Sequence, residues 1–387
     1  MADGLNAAGL RRLRAVAEQH VGDERVPGLV ALVARGGQVH VEALGTLAIG
    51  GAPVSRDSLF RIASTTKPIT AAATLALIDE GLLGLDEPVD RLLPELAGRR
   101  VLRRMDGPLG ETVPAVRPIT ARDLLTFTFG FGAVTEMFFS PAPWPVVGAA
   151  DQRRLATFGP PDPGGQPDPD TWIAGLGSLP LLAQPGERWM YNTGASVLGV
   201  LLARAAGQPF AEVLRTRIFE PLGMRDTGFW TAQTGRLATS YRARPGGLAV
   251  WDEPDGMWSR PPAFGDGAAG LVSTADDLLA FARMLLRGGA PVLPADAARA
   301  MTSDQLTPAQ KAHGGLGPDF FTGRSWSFGQ AVSDRGAFGW DGGLGTSWLA
   351  DPGPGLTVIV LTQRMFETSD PPQVHRDIQA AAYAALE

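Results

Sequence analysis

The chain has 387 residues, 44% of them hydrophobic, and a net charge of -6. It can therefore build a sizeable core, and its charge provides no footprint for nucleic acid or an anionic membrane surface. No stretch approaches ~18 consecutive apolar residues, so we expect no membrane insertion. Residues 1–5 lack a basic segment followed by an apolar one, which predicts no secretory signal and a cytoplasmic location. The sequence leaves the oligomeric state open.

The composition also limits the chemistry that the chain can perform. It contains no cysteine, which excludes disulfides, thiolate nucleophiles and cysteine-ligated metals. Its four histidines, His20, His40, His313 and His375, show no paired metal-ligand spacing. We interpret each histidine as a surface or lightly packed side chain, and we expect neither a metal nor a cofactor.

The first predicted elements are an amphipathic helix over residues 5–22 and a hairpin of strands 29–35 and 38–44 around Gly36-Gly37. A second helix is predicted from Ser64 to about residue 80. Pro68 falls in its first turn, where a missing N–H is harmless, and Gly81 ends it.

Residues 81–239 read mainly as helices, predicted at 89–96, 121–127, 194–206 and 210–219, joined by loops. Between 139 and 170, a Pro/Gly-rich tract predicts a long surface loop, which either lines a pocket or is a solvated excursion.

The last third of the chain predicts a helix over 274–286, strands at 337–340, 346–350 and 356–363, and a helix over 374–386. Strands at both ends predict an α+β fold. Residues 1–80 and 240–387 would form one antiparallel sheet flanked by helices, and residues 81–239 a largely helical inserted domain. The active site would lie between the two.

Ser64-Thr65-Thr66-Lys67 places a hydroxyl and an amine one helical turn apart. The chain has only two lysines, Lys67 and Lys311, so the other 32 of its 34 basic residues are arginines. Arginine cannot release its proton in a protein, whereas a partly buried lysine can become neutral and accept one. We therefore read Ser64 as a nucleophile and Lys67 as its proton acceptor.

A second candidate for proton transfer is a tyrosine, because no histidine has a motif context and no Gly-x-Ser-x-Gly elbow is present. The three tyrosines are Tyr191, Tyr241 and Tyr383. Tyr191 follows a turn and precedes a helix start, a position from which a phenol can project into a cleft. The local sequence alone leaves a structural role for Tyr191 open.

Three blocks occur in order: Ser64-Thr65-Thr66-Lys67, Pro185-Gly186-Glu187-Arg188-Trp189-Met190-Tyr191-Asn192-Thr193 and Phe338-Gly339-Trp340-Asp341-Gly342-Gly343. Together they resemble the serine β-lactamase and penicillin-binding-protein superfamily over roughly residues 10–385. The resemblance implies Ser64 as nucleophile, Lys67 as its activating partner and Tyr191 as a second proton-transfer group. The family's second-motif asparagine is replaced by Thr193, unless Asn192 serves in a shifted register.

The third motif departs from the family's Lys-Thr-Gly, because Trp340 stands in place of the lysine. An indole cannot pair with a substrate carboxylate, and losing that contact costs such a substrate about 1.5–3 kcal/mol. This favours small neutral esters, and Trp340 with its glycines is similar to what family VIII carboxylesterases carry. The resemblance further implies an oxyanion hole from the N–H groups of Ser64 and Gly343, the latter on an edge strand.

Further residues are predicted to bind the substrate: Gly342, Asn192 and Thr193, and, as an apolar acyl or alcohol pocket, Trp340, Phe129, Phe131 and Trp348. The sequence leaves open a β-lactamase with weak or strong activity, a D-amino-acid peptidase or amidase, and an acyltransferase on the same fold. It also leaves open a homologue that binds ligands without turnover.

Overall fold

The computed structural model describes residues 4–386. Its largest sheet has seven strands, every neighbouring pair of them antiparallel, and takes them from both ends of the chain. The spatial order is Gln38–Gly45, Gly28–Arg35, Leu356–Thr362, Thr346–Asp351, Phe338–Gly342, Ala331–Ser333, Arg324–Trp326. The predicted α+β fold is therefore confirmed. Residues 1–3 and 387, which the predicted sheet domain and the signal reading include, lie outside the described residues.

Helices cover both faces of this sheet, which explains why the strand Gly28–Arg35 is apolar on both sides. On one face, the terminal helices Ala7–His20 and Gln373–Ala384 bury Leu13 and Ile378 against Val33. On the other face, the helix Ala275–Leu286 packs on the sheet, and Thr66–Asp79 belongs to the same main core. The two faces are thus separate cores divided by one sheet.

The middle of the chain carries the remaining helices and short strand pairs. The helices before residue 240 are Ala121–Leu125, Thr135–Phe138, Pro145–Gln152, Pro169–Gly177, Thr193–Ala206, Phe210–Leu214 and Glu220–Leu222. Ala295–Met301 and Pro308–Ala312 follow later. The short pairs are Phe60–Arg61 with Val272–Ser273, Arg100–Leu102 with Thr112–Pro114, and Ser240–Arg244 with Gly247–Asp252. The division into two domains stays a prediction.

Two predicted elements differ from the structure. The tract 139–170 is not a continuous loop, since it holds the helix Pro145–Gln152, which buries Val146 and Ala150 in the main core. The predicted helix over 89–96 is instead two 3₁₀ turns, Val89–Arg91 and Pro94–Leu96. Proline lacks the N–H that a continuous helix would need at position 94.

The prediction that all four histidines are surface or lightly packed side chains is wrong for His375. It is fully buried on the terminal helix, where its Nδ1 lies 2.8 Å from the Ser347 hydroxyl. Burial lowers the pKa of His375 to about 3, and the nearby His20 acts in the same direction.

Among residues 4–386, no single helix has both the length and the hydrophobicity needed to cross a membrane; only Thr193–Ala206 with Phe210–Leu222, bent by 82°, meets those criteria as a pair.

Candidate active site

Ser64 lies in the 3₁₀ turn Ala63–Thr65, directly before the helix Thr66–Asp79. Ala63 adopts a left-handed backbone with a φ of 43°, an uncommon conformation for a residue with a side chain. The Lys67 ammonium lies 2.8 Å from the Ser64 hydroxyl oxygen and donates a second hydrogen bond of 2.8 Å to the Ala268 carbonyl. The one-turn spacing of the sequence therefore brings the hydroxyl and the amine into contact.

The Lys67 side chain is completely buried, and this sets its protonation. Burial lowers its pKa to about 7, while the Asp266 carboxylate acts in the opposite direction. Asp266 is itself buried and accepts hydrogen bonds from the Ser196 hydroxyl at 2.7 Å and the Ala268 N–H at 2.9 Å. An amine with a pKa near 7 is partly neutral at neutral pH and can accept a proton.

Tyr191 reaches the same place from the middle of the chain. Its backbone pairs with that of Ala133 in both directions, at 2.8 and 3.0 Å. Its ring centre lies 4.6 Å from the Lys67 nitrogen, and its hydroxyl accepts a 2.8 Å hydrogen bond from the Trp340 indole. Burial raises the pKa of the Tyr191 phenol above its usual range, against hydrogen bonds with Ser64 and Trp340. The structure thus brings Ser64, Lys67 and Tyr191 together.

An aromatic cluster holds Tyr191 and Trp340 in place, and sequence reasoning missed it. The Trp326 and Trp340 rings meet edge to face with centres 4.6 Å apart, and Trp189 lies 5.6 Å from Tyr191. Phe127 and Phe320 complete the cluster. Its only sequence signal was the position of Trp189 two residues before Tyr191, because Trp326 belongs to no recognisable motif.

Two backbone N–H groups remain available for an oxyanion. Within residues 4–386, neither the N–H of Ser64 nor that of Gly343 has a hydrogen-bond acceptor. The strand Phe338–Gly342 is not an edge strand as predicted, because Ala331–Ser333 pairs with its first two residues. Among the described residues, no strand pairs with its second half on that side, and Gly342 there packs against the chain just before Ser64.

Gly342 is not brought into the cavity beside Ser64 as a substrate contact. A Cβ at this position would overlap the carbonyl oxygen of Ile62, so its lack of a side chain lets the strand pack against the chain just before Ser64. At Gly343, by contrast, a Cβ would meet no atom within 4 Å. The two glycines therefore serve different purposes: Gly342 allows close packing, and Gly343 faces open space.

A cavity of about 390 Å³ opens at Ser64. Trp340, Asn192 and Gly343 line it as predicted, together with Tyr191. Two further stretches of its wall, residues 156–161 and 365–369, were not identified individually, although the first belongs to the Pro/Gly-rich tract. Three carboxylic acids, Asp266, Asp341 and Glu367, also line the cavity, and the lining that the structure describes includes no lysine, arginine or histidine.

Phe129 and Phe131 do not line this cavity. Both lie just after the helix Ala121–Leu125 and are fully buried in the main core. Phe131 packs against Phe158 with ring centres 5.6 Å apart, and Phe158 is the residue that reaches the cavity wall. Phe131 therefore packs behind a residue of the cavity wall and is not itself part of that wall.

Trp348 and Thr193 also lie elsewhere. Trp348 is buried against Phe281 and Phe338 in the main core. Thr193 is fully buried at the start of its helix, whereas Asn192, with a φ of 83°, lines the cavity. The structure therefore brings Asn192, and not Thr193, to the wall of the cavity that Ser64 lines. Among the described residues, no group of three or more histidines and acids is arranged to hold a metal ion.

Comparison with known proteins identifies the family. The Beta-lactamase family model matches residues 13–383. Protein Rv1367c of Mycobacterium tuberculosis is 39% identical over 332 residues, covering 81% of this chain and 79% of that protein. Esterase EstB of Burkholderia gladioli is 35% identical over 395 aligned positions, covering 94% and 93%. The chain belongs to the beta-lactamase family.

Structural comparison agrees with this assignment. The solved structure of EstCE1, described as a hydrolase with promiscuous acyltransferase activity, matches with a TM-score of 0.80. It is 26% identical and covers 97% of this chain and 99% of its own. The resemblance to the serine β-lactamase and penicillin-binding-protein superfamily is therefore confirmed, and these relatives support hydrolase activity on this fold.

Proposed function

We propose that this protein is a serine esterase that cleaves small neutral carboxylic esters through an acyl-enzyme on Ser64. The observation that carries this proposal is the 2.8 Å contact between the hydroxyl of Ser64, which lines a cavity, and a completely buried lysine. A nucleophilic serine needs a base within hydrogen-bond reach, and Lys67, with a pKa near 7, meets both requirements. The likeness to Esterase EstB supports the same reaction class.

In the first step, neutral Lys67 takes the Ser64 proton and the serine oxygen attacks the ester carbonyl. The resulting oxyanion accepts hydrogen bonds from the free N–H groups of Ser64 and Gly343. The Tyr191 hydroxyl gives its proton to the leaving alcohol, and the Trp340 indole N–H stabilises the phenol oxygen as it does so. Lys67 then returns its proton to Tyr191, and water hydrolyses the acyl-enzyme by the reverse sequence.

The charge of the cavity supports a neutral substrate. Its described lining holds three acids and no basic side chain, and Trp340 occupies the place of the superfamily's third-motif cation. A substrate carboxylate would therefore find no cationic partner in this lining, which is unfavourable, whereas burial raises the pKa of Asp341 to about 7 and so limits the negative charge there. A neutral ester avoids that cost, so we place β-lactams and D-Ala-D-Ala peptides below simple esters.

A substrate panel tests the assignment. The kcat/KM for p-nitrophenyl butyrate should exceed the values for nitrocefin and for a D-Ala-D-Ala peptide, with Ser64→Ala as the blank for each. Faster Ser64-dependent turnover of the peptide or of nitrocefin would replace the ester assignment with an amide one. Absence of Ser64-dependent turnover on all three would favour a binding protein.

Acyl transfer is a second candidate, because EstCE1 is described as having promiscuous acyltransferase activity. An alcohol that enters the cavity can replace water in the second step of the same mechanism. Adding a primary alcohol to the butyrate assay should then yield its butyrate ester, whereas p-nitrophenol with butyrate alone would limit the function to hydrolysis. The cytoplasmic location stays a prediction, open to cell fractionation.

A further inference from the structure

Phe138 is an unusual cavity residue because it is both part of the wall and largely in water. It lines the cavity at Ser64, yet 61% of its surface is exposed. Another aromatic residue of the wall, Phe158, is backed by Phe131 in the core. Among the described residues, Phe138 has no ring contact of this kind, so the fold buries little of its ring and the exposed face can pack on whatever occupies the cavity.

The segment that carries Phe138 is anchored to the chain next to Tyr191. Ala133 pairs with the backbone of Tyr191, and Val134 is fully buried. The N–H of Thr135 donates to the Gly315 carbonyl at 3.0 Å, and Arg188 pairs with Glu136 at 2.9 Å. These anchors hold the short helix Thr135–Phe138 at a fixed position relative to Tyr191.

The wall of the cavity combines polar and apolar groups. Ser64, Tyr191 and Gly343 provide polar groups, and the apolar part of the wall includes Phe138, Phe158, Pro160 and Leu316. An ester whose carbonyl sits at Ser64 would place its larger apolar group along that wall. A short group such as acetyl leaves Phe138 untouched, whereas a longer group buries its exposed ring and gains from each added methylene.

We propose that Phe138 is a specificity-determining residue that packs on the distal apolar group of the ester and shifts the preference toward longer or bulkier groups. This inference rests on the proposed esterase function and deepens it. Phe139 is the matched control, since it is the next residue along, 73% exposed, and not part of the cavity wall.

The test compares Phe138→Ala, Phe138→Leu and Phe139→Ala with the parent on two substrate series below their micelle concentrations. One series is p-nitrophenyl acetate, butyrate and octanoate; the other is ethyl acetate and octyl acetate. Phe138→Ala should lose about ten-fold in kcat/KM on the longest member of at least one series and less than two-fold on the acetate of ethanol or p-nitrophenol. Phe138→Leu should fall between it and the parent, and Phe139→Ala should match the parent.

An equal loss on every ester, no loss on any, or the same shift in Phe139→Ala would overturn the inference. These outcomes are distinct from failure of the esterase proposal itself, which would appear as absence of Ser64-dependent hydrolysis even of p-nitrophenyl acetate by the parent.

Discussion

Two serines in this molecule contact a basic side chain at the same distance but lie in opposite surroundings. Ser64 lines a cavity and meets Lys67 at 2.8 Å. Ser347 meets His375 at 2.8 Å between the sheet and the terminal helix, where both residues are fully buried. Neither Ser347 nor His375 lines the cavity at Ser64.

The comparison indicates what the proposed nucleophile has beyond a neighbouring base, namely access to a cavity and a base of suitable pKa. Burial lowers the pKa of His375 to about 3, so its imidazole is a poor proton acceptor at neutral pH, and no substrate can reach Ser347. Burial lowers the pKa of Lys67 only to about 7, a value suited to proton transfer. Histidine is the commoner partner of a nucleophilic serine, yet here the lysine pair has both access and a matched pKa.

The strongest way to break this comparison is to remove each hydroxyl in turn. Ser64→Ala should reduce kcat on p-nitrophenyl butyrate by about 10⁴-fold or more, because the acyl-enzyme cannot form. Ser347→Ala should retain activity within a few-fold, although it removes the hydrogen bond to His375. Comparable losses in both variants would show that the two sites are not functionally different.

The role of Lys67 as a base can be tested by a substitution that keeps its positive charge. Lys67→Arg should lower kcat by about 10³-fold, because arginine stays protonated and cannot accept the Ser64 proton. Lys311→Arg serves as the control, since Lys311 pairs with Asp304 on the surface and an arginine can do the same. Lys67→Arg activity within a few-fold of the parent would refute the role of the lysine.

The hydrogen bond from the Trp340 indole to the Tyr191 hydroxyl allows a finer test of the proposed active site. Trp340→Phe keeps an aromatic ring and removes the N–H that donates to Tyr191, so kcat should fall about ten-fold with little change in KM. Trp326→Phe is the matched control in the same cluster, because its indole N–H has no hydrogen-bond partner among the described residues. A rise in KM alone would mean that Trp340 contacts substrate and not the proton-transfer step.

The buried pair of Ser347 and His375 should affect the stability of the fold and not the rate of ester hydrolysis. The pKa of His375 is about 3 in the folded state against 6.5 ordinarily, so between those values the unfolded chain binds a proton that the folded chain does not. Stability is thus retained above pH 6.5 and lost as the pH falls toward 3, by up to ~1.4 kcal/mol per pH unit.

His375→Gln should make the loss of unfolding free energy between pH 6.5 and 4 shallower in denaturant titrations, while kcat on p-nitrophenyl butyrate stays within a few-fold. His313→Gln, at an exposed position, should leave the slope as it is. An unchanged slope in His375→Gln would show that the buried imidazole does not control acid stability.

The sequence allowed five of the seven strands of the sheet and the meeting of Ser64 with Lys67 to be predicted, because these depend on local pattern, whereas Arg324–Trp326 and Ala331–Ser333 were missed. The Gly36-Gly37 turn and a β-branched run predicted strands near both ends of the chain, and the one-turn spacing predicted the contact of hydroxyl and amine. The family resemblance identified Tyr191 as a site residue. Its backbone is positioned near Ser64 by pairing with that of Ala133. No local pattern shows such pairing across the chain.

The same limit explains what was missed around the site. Phe129 and Phe131 are as apolar as Phe138, but only the tertiary fold decides that the first two point into the core and the third toward the cavity. The Ala268 carbonyl that accepts from Lys67 lies 201 positions away and carries no side-chain signal. His375 looked like an ordinary helix residue because its burial depends on the opposing strand.

The most direct measurement is the rate at which a fluorophosphonate modifies the native protein between pH 5 and 9, with the modified residue mapped by peptide mass. The account predicts a single adduct on Ser64 whose rate of formation rises through pH 7 as the Lys67 amine loses its proton. An adduct on Ser347 or another residue, or a rate on Ser64 that does not change across this range, would contradict it.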